Sequence, residues 1–335
     1  MLIDSNLGGV DHTRETAAAN EAAGYAGLWT GETQHDPFLQ VLQAAEATER
    51  VTLGTSIAIA FGRTPMTLAN TAFDLARYSR GRFVLGLGSQ VKPHIERRFS
   101  MPWSQPAARM REYVAALRAI WASWQDGEKL DFRGDFYTHT LMTPFFSPPA
   151  HEWGPPPVYL AGVGRLMTEV AGEMCDGFFF HAFTTPSYLR EVTVPALLRG
   201  RTTGGKDSLD GFAIAGPAFT CVGRNDEELD AAMRGAKEQI AFYASTPAYR
   251  GVLEHHGWGD LQPELTRMSK EGKWKEMGDV IADDVVRAFA AVGDVPTVAQ
   301  ELRERWASAT RLSFYMPYRA DDTVRAELLA ELSRS

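Results

Sequence analysis

The sequence predicts a closed (β/α)8 barrel. Three observations carry the prediction. Short apolar, β-branched runs alternate with Ala-rich helical segments; the alternation repeats in units of about thirty residues; and it yields eight strands with at least eight helices. Such alternation implies right-handed βαβ crossovers and a parallel sheet.

The elements follow in order. Residues 2–7 (LIDSNL) read as a strand and 12–23 as an Ala-rich helix stopped by Gly24. Residues 25–30 form a second strand, and 37–50 a second helix with Pro37 in its first turn. Residues 51–60 are β-branched and nearly free of charge, as in a strand buried on both faces. A helix over 65–80, stopped by Gly81, and a strand over 82–88 complete the fourth unit's strand. A long helix then spans about 107–124. The rhythm breaks over 126–157, a stretch with six prolines between 144 and 157 that reads as a loop. It resumes with strand 158–161, helix 166–175, strand 177–181, helix 186–198, strand 212–222 and helix 226–243. A second excursion, 246–279, precedes helices 283–291 and 297–306, strand 311–315 and helix 322–332. The chain, 1–335, therefore reads as one domain with insertions near 126–157 and 246–279.

The rival architecture, an open doubly wound sheet, would place G-x-G-x-x-G after the first strand. Only Gly8-Gly9 stands there, and both Gly86-x-Gly88 and Gly162-x-Gly164 lack the third glycine. Composition narrows the function. With 335 residues, 44% of them hydrophobic, the chain can bury a full core. Its net charge of −8 argues against a general nucleic-acid or anionic-membrane binder. The first residues, MLIDSNLGGVDH, do not read as a signal peptide, and no run approaches the ~18 apolar residues of a membrane span. Cys175 and Cys221 cannot form a disulfide framework or a zinc site, so they read as reduced thiols of a cytoplasmic protein. No metal is expected: His255-His256 point apart, and no HExxH spacing exists. A G-x-S-x-G elbow and a P-loop are also missing, so hydrolase and kinase readings lack their parts.

In a barrel of this kind functional residues lie where strands end. Strand ends give Asn6, Glu32 with His35 and Asp36, Ser56-Ile57, Gly88-Ser89-Gln90, Gly162 to Arg165, and His181. His35 can carry a proton near neutral pH, or it can line a loop while Asp36 caps the next helix. Gly162-Val163-Gly164-Arg165 joins a strand to a helix, where open N–H groups favour an anion; a plain tight turn is the alternative. Aromatic residues between Phe132 and Trp153 fit either an apolar substrate or a packed lid.

Four ordered runs, GYAGLWTGETQHDPF, ERVTLGTSIAIAFGRTPMTLA, GRFVLGLGSQVKPHIERRF and VYLAGVGRLMTEVAGEMCDGF, resemble the bacterial luciferase-like monooxygenase family. They resemble most its branch that uses the deazaflavin coenzyme F420; users of flavin mononucleotide (FMN) share the barrel. The resemblance spans most of the chain and implies a cofactor ring across the barrel mouth, with the substrate under the long excursions. It implies a non-prolyl cis peptide at Ser56-Ile57 behind the ring, and a phosphate held by Gly162, Val163, Gly164 and Arg165. It implies His35 near the reactive ring carbon, and Gly88, Ser89 and Gln90 along the ring or its side chain. Glu32, three residues before His35, is expected to orient it or share its proton, the alternative being that both only position the ring. Asn6 and His181 complete the expected cofactor contacts. One position departs: the branch's sugar-phosphate dehydrogenases carry an acid just after the fourth strand, where Val91-Lys92 stand here. The expected function is hydride transfer between F420 and a small organic substrate. The alternatives are an FMN-dependent monooxygenase and a barrel that binds such a cofactor without turnover. A homodimer is the expected assembly.

Overall fold

The computed structural model describes residues 1–334, and for Asp322 the backbone alone. Eight parallel strands form a closed ring: Leu2–Asn6, Gly27–Thr30, Thr52–Thr55, Phe83–Gly88, Val158–Ala161, Gly177–Phe179, Ala213–Val222 and Arg311–Tyr315. Each pairs with the next, and the last returns to the first with Arg311 opposite Leu2. The barrel is thus the one that the alternation predicts.

The ring is filled, not hollow. Trp29, Val84, Phe179 and Ala215 form its inner core, with Trp29 edge-on to Phe179 at 5.1 Å between centroids. One ionic contact lies among them. Arg311 donates from Nε and Nη2 to the two oxygens of Asp4, both at 2.8 Å, and Trp29 Nε1 donates to Asp4 at 2.8 Å. Asp4 is 3% exposed and Arg311 7%. Removing either partner would strand a buried charge, a loss of about 3–5 kcal/mol. The pair also bridges the seam where the last strand meets the first.

Outside the ring the helices bury apolar stripes. Pro37–Ala47 begins with proline behind the Asp36 cap, whose carboxylate accepts the Phe38 N–H at 2.9 Å. Pro65–Tyr78 begins with proline behind the Thr64 cap. The helix Pro106–Gln125 buries Met110, Tyr113, Val114, Leu117, Ile120, Trp121 and Trp124 on one face.

Several elements differ from expectation. The strand expected over 51–60 is interrupted: Thr52–Thr55 and Ala58–Ile59 flank a cis peptide between Ser56 and Ile57, where the resemblance places it. A short helix, Lys92–Arg97, follows the fourth strand. The helix expected over 186–198 runs further and contains a π-helical stretch, Leu189–Thr193. Pro195, one turn on, offers no N–H to continue the regular ladder there.

The two excursions behave differently. Residues 246–279, read as an excursion without assigned elements, are largely helical, with Leu261–Lys270 packed on helix Asp226–Ala244 and Arg250–His255 against Leu261–Lys270. A further strand, Ala291–Gly293, pairs with the end of Ala213–Val222, beginning at the last residue of the helix expected over 283–291. Residues 126–157 carry a small hairpin, Phe132–Arg133 with Thr138–His139, and lie along the outer wall. Glu112 accepts the N–H groups of Asp135, Phe136 and Tyr137, and Gln125 Nε2 donates to the carbonyl of His151. Tyr137 packs edge-on against Tyr113 of the helix Pro106–Gln125, whereas Phe145 and Phe146 are exposed. No helix among the described residues is long and apolar enough to cross a membrane.

Candidate active site

The sequence-predicted residues gather at the C-terminal ends of the strands, in three groups. The first is the loop after Gly27–Thr30. Its backbone is tied to the neighbouring strand end, with Glu32 N–H donating to the Ile57 carbonyl at 3.0 Å. The Glu32 carboxylate accepts the Ile59 N–H at 2.8 Å and the Arg63 guanidinium at 2.5 Å. It thus pairs with Arg63, and no hydrogen bond joins it to His35, the partner expected for it. Asp36 caps the next helix and also receives Arg63 at 2.9 Å. His35 is exposed and forms no hydrogen bond or ion pair with any described residue, leaving both ring nitrogens available. Asp36 is thus a helix cap, as one reading of the sequence has it, and His35 stands exposed on the loop before it.

The second group lines the mouth beside it. Ile57 packs against Gly88, where an added Cβ would come within 2.7 Å of Ile57 Cδ1, so glycine lets these two strand ends meet. Gln90 holds a positive φ of 59°, and its side-chain oxygen accepts the Val91 N–H at 3.0 Å. Ser89 Oγ donates to the Gln90 carbonyl at 3.1 Å. Ser56 is exposed next to the cis bond, with its N–H donating to the Thr30 carbonyl at 2.7 Å. Asn6 ends the first strand exposed, its carbonyl accepting from Asn20 at 3.3 Å.

The third group surrounds a cavity of about 180 Å³. Gly162, Val163, Gly164 and Arg165 line one side of it, and His181 another. Gly164 is the N-cap of helix Arg165–Met174, with φ 83° and ψ 159°, a conformation that suits glycine, and no side chain caps the helix. An ideal Cβ at Gly164 would meet nothing within 4 Å, so the space beside this N-cap is open. Arg165 is exposed, and Glu169 holds it loosely at 3.7 Å while receiving Arg199 Nε at 2.9 Å. Two guanidiniums and an uncapped helix start thus border one cavity, which fits an anionic group such as a phosphate.

His181 contributes differently. Its Nδ1 accepts the Phe183 N–H at 3.0 Å, and its ring stacks on Tyr249 at 4.6 Å and meets Tyr243 edge-on at 4.7 Å. Burial pushes its pKa down to about 4. The ring is therefore neutral at pH 7, with Nε2–H as its remaining donor. Tyr249 belongs to the second excursion, as do Ala248, Gly251 and Val252, which also line the cavity.

Arg63, Arg199 and Tyr249 were not legible as site residues. Arg63 stands in the F-G-R-T-P run between a strand end and a proline-led helix, where a lone cation could have been noticed. Tyr249 carried no such signal, because its segment was read as an excursion outside the strand-end pattern.

A model of the luciferase-like monooxygenases matches residues 3–311. The chain belongs to that family. Among relatives of this luciferase-like protein, an uncharacterized protein of Mycobacterium tuberculosis is 55% identical over 291 residues, covering 87% of this chain and 85% of the relative. The F420-dependent glucose-6-phosphate dehydrogenase of Tsukamurella paurometabola is 32% identical over 208 residues, covering 58% of this chain and 60% of that protein. In fold, the chain is similar to the coenzyme F420-dependent tetrahydromethanopterin reductase of Methanopyrus kandleri, with a TM-score of 0.78 at 19% identity, covering 98% of this chain and 97% of that one.

Proposed function

We propose that this protein is an F420-dependent oxidoreductase that exchanges a hydride between the deazaflavin and a small organic substrate. The observation that carries the reading is the uncapped helix start at Gly162 to Arg165, opening on a cavity beside a barrel mouth that holds His35. The names of relatives in the F420-dependent branch support the choice of cofactor.

When bound, the deazaflavin supplies the hydride chemistry; the protein supplies position and a proton route. Gly162 to Gly164 and Arg165 would hold its phosphate through backbone N–H groups and charge. Ile57, Gly88, Ser89 and Gln90 form the wall along which the ring and its side chain would lie. Neutral His181 offers a single N–H donor without adding charge. His35, exposed and unpaired, is free to give or take the proton that accompanies hydride transfer. Val91 is 53% exposed and precedes Lys92–Arg97, so no carboxylate stands at the position the sugar-phosphate dehydrogenases use. The substrate is accordingly one that needs no acid there.

The test is anaerobic turnover with F420, followed by the deazaflavin's visible absorbance against a panel of carbonyl, enone and imine compounds. His35→Asn should leave F420 affinity within a few-fold and lower turnover at least about tenfold. Full turnover in that variant would remove His35 from the proton route.

A further inference from the structure

The loop that carries His35 is fastened by one guanidinium. Arg63 Nη1 donates to Glu32 at 2.5 Å and Nη2 to Asp36 at 2.9 Å, so a single side chain grips the loop on both sides of His35. The Arg63 guanidinium also lies 5.4 Å from the centre of the Phe38 ring, on the helix that Asp36 caps. Glu32 extends the fastening to the neighbouring strand, because the same oxygen that receives Arg63 also receives the Ile59 N–H. Glu32 is 7% exposed and Arg63 18%, so water competes weakly for this pair. A second arginine, Arg98, donates to the Thr33 carbonyl at 2.7 Å from the segment after Lys92–Arg97.

We propose that Arg63 is a positioning residue, which fixes the His35 loop against the Ser56–Ile57 wall so that His35 and the wall face one bound ring in register. This rests on the hydride-transfer reading above for what His35 does, though not for how its loop is held. Burial opposes the Arg63 charge, but hydrogen bonds and charge from Glu32 and Asp36 outweigh it and raise its pKa, so the guanidinium stays charged. Two plain alternatives exist for such an ion pair. It could serve stability alone, or it could be an idle surface pair. The low exposure of Glu32 speaks against the second, and the experiment separates the first.

Arg63→Met alone would leave the Glu32 carboxylate buried without its cation and is expected to destabilise the chain. The double variant Glu32→Gln/Arg63→Met removes both charges and should melt near the unaltered protein. If the clamp positions the loop, amide hydrogen exchange over 32–36 rises in the double variant although its melting temperature is restored, and F420 affinity measured by fluorescence falls at least about tenfold, as small misplacements in preorganised sites do. Arg63→Lys, which can reach one carboxylate but not grip two, should fall between. Unchanged exchange over 32–36 in a double variant of normal stability would overturn the proposal and leave Arg63 a structural ion pair. Failure of the unaltered chain to bind F420 would count against the functional reading alone, because the exchange measurement needs no cofactor.

Discussion

At His181 a ring nitrogen that accepts the Phe183 N–H cannot also carry a proton, and the aromatic walls of Tyr243 and Tyr249 withhold water from a charged ring. Its pKa in the folded chain is about 4, against an ordinary value of 6.5. As pH falls, the unfolded chain therefore takes up this proton first. The stability that His181 contributes is complete above about pH 6.5 and declines as pH drops towards 4. The tyrosines do not complicate the window, because burial raises both, Tyr249 to about 12. In His181→Gln the melting temperature should fall less between pH 7 and pH 4 than in the unaltered protein. Parallel pH profiles would mean that the ring is not held neutral by its surroundings. His35, in contrast, is exposed and without partners among the described residues, and its place after a strand end is what made it legible in the sequence.

Among elements, the join of Val158–Ala161 to Arg165–Met174 is where backbone conformation and ligand chemistry meet. Gly164→Val would force a β-branched residue into a conformation that costs about 1–3 kcal/mol outside glycine. It would also place methyl groups in the space in front of the helix start. Affinity for F420 should drop by more than tenfold, well beyond what the stability loss explains. Gly127→Val is the control: it also has positive φ and open space, but lies in the outer-wall excursion, so it should cost stability without costing affinity. Equal affinity in both variants would reduce the Gly162 to Arg165 turn to a connection. The same scale explains what the sequence hid. Period and turn residues mark strands such as Val158–Ala161 to the residue, because an apolar run with Val158 and Leu160 buried follows directly on the proline-rich stretch. The second excursion was illegible because Arg250–His255 and Leu261–Lys270 are short, and packing of the latter on helix Asp226–Ala244 and of the two on each other helps to hold them helical. The first excursion was legible as irregular chain, but its docking on Pro106–Gln125 depends on Glu112 reaching three N–H groups some 23–25 residues away, which no local pattern encodes.

For the whole molecule, ring closure follows from eight strand–helix units, and the buried Asp4–Arg311 pair stitches its first and last strands. Closure brings six strand ends from Asn6 to His181 to one rim, which is why a reading confined to strand ends picked out residues that the fold gathers together. It missed the parts that arrive from outside that rule. Arg63 comes from a turn after a strand, Arg199 from the middle of helix Val194–Thr203, and Tyr249 from an insertion. The account stands or falls on what the assembled mouth and anion loop hold together. The most direct measurement is an equilibrium titration of the purified chain with F420 and, separately, with FMN, read by fluorescence. The account predicts saturable one-to-one binding of F420, much tighter than that of FMN and lost in Gly164→Val. Tight binding of FMN with none of F420 would contradict it.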